Sequence, residues 1–159
     1  MLELGKSGSH GLARGTRPVL DGDVVVATLR ASNWKEAATA EVSGRVWQYS
    51  KRAGQLTGRW VEDPEHAVRL RARKVSFWRG DWVMDLEGVQ VQMTKASLWK
   101  GTHRYSAGTR QVAESGNTGG WSRRPTLTAA GELPLSHQVF LLWVEFVFSR
   151  RDDGAAAAV

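Results

Sequence analysis

The chain has 159 residues, 42% hydrophobic and 24% charged, a balance that fits one soluble domain of ordinary size. Eight Trp, four Phe and two Tyr carry too much apolar surface to stay in water, so a wholly disordered chain is excluded. With no Cys there can be no disulfide, thiolate metal site or Cys nucleophile, and the composition suits a reducing cytoplasm.

The net charge of +6 comes from 22 basic and 16 acidic side chains, and it is unevenly spread. Residues 66–124 carry eleven basic and four acidic groups, while residues 125–159 carry two basic and four acidic ones. A basic excess of this kind favours phosphates, nucleic acid or acidic lipid headgroups. The plainer reading is that Lys and Arg occupy solvent-facing strand positions, where charge ordinarily sits.

Residues 1–16 are rich in Gly, Ser and charge and read as a flexible arm with no secretory h-region. Val24-Val25-Val26 falls in a strand expected to begin near Pro18. Arg45–Ser50 alternates, with Trp47 and Tyr49 on one face, and after the turn Arg52-Ala-Gly-Gln55 the run Leu56–Val61 completes a hairpin. In Ala67–Arg73, Val68, Leu70 and Ala72 alternate with Arg69, Arg71 and Arg73, the pattern of a strand with one buried and one wet face. Trp82–Leu86, Glu87-Gly88 and Val89–Thr94 form a second hairpin.

The motif Ser, apolar, Trp, cation, Gly occurs at Ser76–Gly80 and again at Ser97–Gly101. Two copies are too few for a solenoid, so it reads as a recurring strand end in a meander. His103–Tyr105 and Arg110–Glu114 are expected as later strands, with a loop over Ser115–Gly120. The apolar run Val139–Phe148 is too short to cross a bilayer as a helix, which takes about 20 residues. Pro134 before it and Arg150-Arg151 after it favour a helix over about 134–149, with a central strand as the rival. Residues 152–159 read as a disordered tail. A helix apolar on every side must be surrounded by protein.

Short antiparallel strands followed by one apolar terminal helix predict a mainly β fold: residues 17–151 as a closed antiparallel β-barrel around a C-terminal helix. The hairpins Arg45–Val61 and Trp82–Thr94 and the segment Leu133–Phe148 give this order, which resembles the tubby-like fold. The nearest groups in shape are the LURP-one-related and scramblase-like proteins. The resemblance implies twelve strands around the helix, with residues 17–43 and 103–130 supplying those the sequence does not make plain. It also implies a family setting in which tubby proteins bind phosphoinositide headgroups at a basic site and scramblase-like members act at membranes. Many LURP-one-like members have no defined activity. No lipid-binding motif of the family aligns with residues of this chain. Glu145 would lie in the buried helix and would need a partner or a raised pKa there.

Catalytic patterns are sparse. His10, His66, His103 and His137 lie far apart, with no HExxH pattern, so neither a metal site nor a cofactor is expected. Gly5-Lys-Ser7 lacks the rest of a phosphate loop, and no GxSxG occurs. Asp21-Gly-Asp23 reads as a turn, and His103 as a structural residue. Of the Trp residues, Trp47, Trp60, Trp78, Trp82, Trp99, Trp121 and Trp143 are assigned to packing by default. Trp78-Arg79 and Trp99-Lys100 are the best candidates for an aromatic and cationic surface.

These readings converge on a non-enzymatic binding module for anionic ligands or acidic membrane surfaces. Its candidate residues are Arg69, Arg71, Arg73, Lys74, Arg79, Lys100, Arg104, Arg123 and Arg124, with Lys95 beside them. A nucleic-acid binder using the same cations, or a structural partner-binding protein, is the alternative. The expected place is the cytoplasm, with peripheral attachment at a membrane.

Overall fold

The computed structural model describes residues 1–75 and 79–157. Across most of the alternating runs the chain is extended and pairs with its neighbour. Among the described residues there are twelve strands and one helix. The strands are β1 (Leu2–Leu4), β2 (Thr16–Asp21), β3 (Val24–Ala31), β4 (Ala38–Val42), β5 (Arg45–Arg52) and β6 (Gln55–Trp60). They continue as β7 (Leu70–Lys74), β8 (Trp82–Leu86), β9 (Val89–Ser97), β10 (Thr102–Ala107), β11 (Arg110–Asn117) and β12 (Pro125–Ala129), and α1 (Leu135–Ala157) follows.

Each strand pairs antiparallel with the next, and β1 also pairs with β12, which closes the barrel and leaves no open edge. The expected hairpins are β5–β6 and β8–β9. Asp21-Gly-Asp23 is the turn between β2 and β3, so the expected single strand near Pro18 is two strands. Trp47 and Tyr49 face inward, as the alternation requires. Gly58 opposite Tyr49 is needed for close approach, because a Cβ there would lie 3.1 Å from the Tyr49 ring.

Helix α1 runs inside this wall. Val139 to Val144 are each at most 1% exposed. Tyr49 on β5 meets the rings of Phe140 and Trp143 at 5.4 and 5.0 Å, and Trp82 on β8 meets Phe148 at 5.0 Å. Each Leu, Val or Phe so buried contributes about 1.5–3 kcal/mol. The apolar surface therefore points inward, while outward positions such as Thr39, Glu41, Gln90, Gln92, Arg71 and Arg73 are polar and exposed. A lipid-embedded barrel has the inverse arrangement. No helix among the described residues is long and apolar enough to cross a membrane.

Four expectations change. The N-terminal arm is not loose: β1 supplies the closing strand, and Gly5 N and Gly8 N donate to Pro18 O and Thr16 O at 2.8 and 2.9 Å. Short Gly-rich sequence looked like linker, but backbone pairing and the burial of Leu2 and Leu4 in the core hold it. The helix does not end near 149; it continues through Asp152 and Asp153 to Ala157. Arg150 and Arg151 are thus not last-turn cations, and they bind the β3–β4 connection instead. Ser115 to Asn117 extend β11, where a loop was expected. Val68 precedes β7 and is exposed, so the alternation of that segment holds only from Leu70. The motif at Ser97–Gly101 does close a strand and open a turn; Ser76 to Trp78 of its other copy lie outside the described residues.

This architecture, a closed twelve-stranded antiparallel barrel with one C-terminal helix, is compatible with the tubby-like barrel.

Candidate functional site: an arginine basin at one end of the barrel

Because the strands form a continuous meander, their connections alternate between the two ends. One end carries the β1–β2, β3–β4, β5–β6, β7–β8, β9–β10 and β11–β12 connections and the emerging end of α1. In those connections Lys6, Arg14, Lys35, Arg79, Lys100, Arg123 and Arg124 stand against Glu36 and Asp81. At the other end Asp23, Glu62, Asp63, Glu65, Glu87 and Glu132 stand against Arg69. The barrel is electrically polarised along its axis, which charge counted along the sequence does not reveal.

At the basic end a cavity of about 750 Å³ opens beside the helix, lined by Arg14, Arg17, Arg30, Arg123, Arg124 and Arg150, with Phe146 in its floor. Arg14 comes from the β1–β2 connection, Arg17 and Arg30 from the paired strands β2 and β3, Arg123 and Arg124 from the β11–β12 connection, and Arg150 from α1. The Arg17 and Arg150 guanidinium carbons lie 5.0 and 5.6 Å from the centre of the Phe146 ring. Arg17 donates to Gly5 O at 3.2 Å, and Arg150 donates to Ser32 O and Asn33 O, both at 2.8 Å. Among the described residues only Arg124 has a carboxylate partner, Glu3 at 2.7 Å, and its Nε is buried with no hydrogen-bond partner there. Asp153 is the one carboxylate in the lining among the described residues. Arg14, Arg30 and Arg123 form no ion pair or side-chain hydrogen bond among the described residues.

This crowding has an electrostatic cost. The Arg17 guanidinium is held below its ordinary value, first by burial and then by the charges of Arg150 and Arg124. Arginine stays charged all the same, so the like-charge crowding persists. A guanidinium fork is also suited to grip phosphate or carboxylate through paired hydrogen bonds.

The expected site residues are divided by the fold. Arg123 and Arg124 are in the basin. Lys74, Lys100 and Arg79 belong to the same basic end, beside the β7–β8 and β9–β10 connections. Arg71 and Arg73 point outward from β7, with Arg71 opposite Asp85, and Arg104 lies opposite Glu114 on β11. Arg69 is at the far, acidic end. Its Nε lies 2.6 Å from Asp63 Oδ2, its Nη1 3.7 Å from Glu87, and its guanidinium 3.2 Å from the centre of the Trp60 ring. Asp63 is held below the carboxylate range by its hydrogen bond to Arg69, so this pair is already satisfied. The alternating arginines of residues 69–73 therefore do not form one site with Arg123 and Arg124. Arg14, Arg17, Arg30 and Arg150 were not singled out, because only barrel closure brings residues so distant in sequence together.

A second polar cluster lies inside the barrel. Glu145 on α1 is buried, and both its carboxylate oxygens lie near His103 Nδ1, at 2.9 and 3.0 Å. Tyr105 Oη donates to Glu145 Oε1. The partner that a buried Glu145 requires is thus supplied by β10, where bulges on either side of these two residues adjust their aim. Burial, then the Glu145 charge, holds the Tyr105 hydroxyl well above its ordinary value.

The aromatic candidates also resolve. Trp47, Trp82 and Trp143 are buried, in keeping with packing. Trp99 and Trp121, assigned to packing by default, are fully exposed on turns, as is Trp34. On a turn Trp99 and Lys100 need not face opposite ways as they would on a strand. Trp78 lies outside the described residues.

Comparison with family models, curated proteins and solved structures finds no match to this chain.

Proposed function

We propose that the protein is a non-enzymatic binding module that takes a phosphate-bearing anion, such as an acidic lipid headgroup, into the arginine basin. One observation carries this reading: six arginines line one cavity, and among the described residues only one of them has a carboxylate partner. A cavity of about 750 Å³ is within the range of ordinary small-ligand sites, roughly 300–1,000 Å³. The architecture also supports kinship with the tubby-like superfamily and its LURP-one-related or scramblase-like groups, and with it a cytoplasmic protein attached peripherally at a membrane. The basin lies at the barrel end and draws on both the N- and C-terminal parts of the chain, so it is argued from its own residues and not from a family motif.

Titration with inositol hexakisphosphate tests the reading. The double variant Arg17→Gln, Arg30→Gln should weaken binding by roughly a hundredfold, since each charge-assisted hydrogen bond is worth about 1.5–3 kcal/mol. The wall variant Arg71→Gln, Arg73→Gln should bind like the wild type. Equal loss in both pairs would mean that net charge, not the basin, attracts the ligand.

A further inference from the structure

Trp34, Trp99 and Trp121 are 95%, 95% and 107% exposed, and Leu98 beside Trp99 is 81% exposed. An indole buries a large apolar area when it packs, and Trp47, Trp82 and Trp143 of this chain do so. The exposed three lie on the β3–β4, β9–β10 and β11–β12 connections, all at the basic end. Two of those connections flank the basin: Ser32 and Asn33 of the Trp34 loop and Ser122 to Arg124 of the Trp121 loop line it.

The loops that carry these rings are tied down. Ser32 Oγ accepts from Trp34 N and Lys35 N at 3.3 and 3.2 Å. Ser97 Oγ accepts from Lys100 N at 3.2 Å, and Asn117 Nδ2 donates to Lys100 O at 3.1 Å. Thr118 and Arg124 pinch the Trp121 loop through Thr118 N to Arg124 O at 2.9 Å and Arg124 N to Thr118 Oγ1 at 3.0 Å. The rings are therefore held out on ordered stems. At the acidic end the exposed apolar side chains are Met1 and the valines Val24, Val61, Val68 and Val89, each smaller than an indole.

We infer that the basic end is a docking surface for an anionic lipid bilayer, with Trp34, Trp99 and Trp121 entering the interface while the basin holds a lipid phosphate. Indole rings favour the headgroup level, where an apolar body and a polar N–H are both accommodated. Nearby cations are drawn to acidic lipid. The tips belong to separate connections around one end of a closed ring, which suits a flat partner better than a strand of nucleic acid following a track. The barrel axis would then stand on the bilayer, with the acidic end turned away. This inference rests on the anion-binding reading of the basin for its charge and on the exposed rings for its partner.

The test uses the full chain and vesicles of phosphatidylcholine, with and without phosphatidylserine. The wild type should co-sediment with the acidic vesicles, and its Trp emission should be quenched by lipids brominated near the headgroup end of the acyl chain. The variant Trp34→Ala, Trp99→Ala, Trp121→Ala should lose roughly tenfold or more in vesicle affinity and most of the quenching, yet bind inositol hexakisphosphate like the wild type. These residues pack on nothing, so its far-ultraviolet spectrum and melting should match the wild type. Binding to inositol hexakisphosphate without binding to vesicles would overturn the bilayer inference and leave the anion reading intact. Vesicle binding without quenching, or unchanged in the triple variant, would overturn insertion. Tighter binding to single-stranded DNA than to acidic vesicles, lost in the triple variant, would assign the rings to base stacking instead. Binding to neither vesicles nor inositol hexakisphosphate would overturn both readings.

Discussion

Glu145 and Arg150 lie little more than one turn apart on the same helix, yet their surroundings differ in kind. Glu145 is enclosed, with both carboxylate oxygens engaged by His103 and Tyr105. Arg150 holds only backbone carbonyls and shares an open cavity with five other arginines. In the first cluster the carboxylate is satisfied by hydrogen bonds inside the fold, which ties the helix to β10. In the second, like charges are crowded, with Glu3 on Arg124 and Asp153 in the lining as the carboxylates near them among the described residues. Perturbed ionisation alone does not separate a binding site from an internal brace, since Tyr105 in the first cluster and Arg17 in the second are both shifted. The balance of partners does.

Breaking the enclosed cluster should have the largest effect. Glu145→Ala leaves the His103 ring and the Tyr105 hydroxyl without their acceptor and opens a cavity, for a loss of about 3–5 kcal/mol. Urea unfolding measures it. Glu145→Gln keeps the shape and an acceptor and should cost less. If the alanine variant loses under about 1 kcal/mol, the cluster is no brace and the contrast with the basin disappears.

The two clusters also differ in how far the sequence announces them. The barrel and its inner helix are legible because burial imposes period-two alternation on the wall and an all-round apolar run on the plug. Leu70 and Ala72, or Trp47 and Tyr49, carry that message within a few residues. Glu145 is legible as an anomaly, a carboxylate within the apolar run, but its partners 42 and 40 positions away are not. The basin is the least legible. Arg17 on β2 and Arg150 on α1 meet over the Phe146 ring only in the folded barrel, and the closing strand's own signal, Leu2 and Leu4 alternating about Glu3, is too short to stand out in Gly-rich residues 1–16. The exposed indoles were obscured for a different reason: a Trp reads as core unless its turn is identified, and Trp34 stands in a segment without alternation.

A smaller effect concerns the helix end. Arg151 Nε and Nη2 lie 2.5 and 2.6 Å from the Glu36 oxygens, joining α1 to the β3–β4 connection. The Arg151 hydrogen bond, reinforced by the charges of Arg151 and Lys51 and opposed by some desolvation, holds Glu36 below its ordinary value of 4.5. A depressed carboxylate stabilises the fold above its unfolded pKa, and that contribution is lost as pH falls through the folded value. The stability difference between wild type and Glu36→Gln should therefore be about 1 kcal/mol or less at neutral pH, given the partial exposure of the pair. It should be constant down to about the ordinary value of 4.5 and shrink below it. A difference that instead grows on acidification would reverse the sign and reject the clamp.

The smallest change in stability should come from the basin, and there its smallness is the informative result. Arg17→Met keeps an unbranched apolar stem against Phe146 while removing the charge crowded by Arg150 and Arg124. It loses the hydrogen bond to Gly5 O and relieves the like-charge crowding, so without ligand its unfolding free energy should stay within about 0.5 kcal/mol of the wild type. With inositol hexakisphosphate present the two proteins should separate. A ligand that binds only the folded state adds about 2.7 kcal/mol at a hundred times its dissociation constant, so wild-type melting should rise with ligand while the variant rises far less. A brace would behave the other way, with a large loss in buffer and no ligand-dependent gap. Paired melts of the two proteins thus decide whether Arg17 belongs with Glu145, as a group that holds the fold together, or with the arginines whose balancing charge comes from a bound anion.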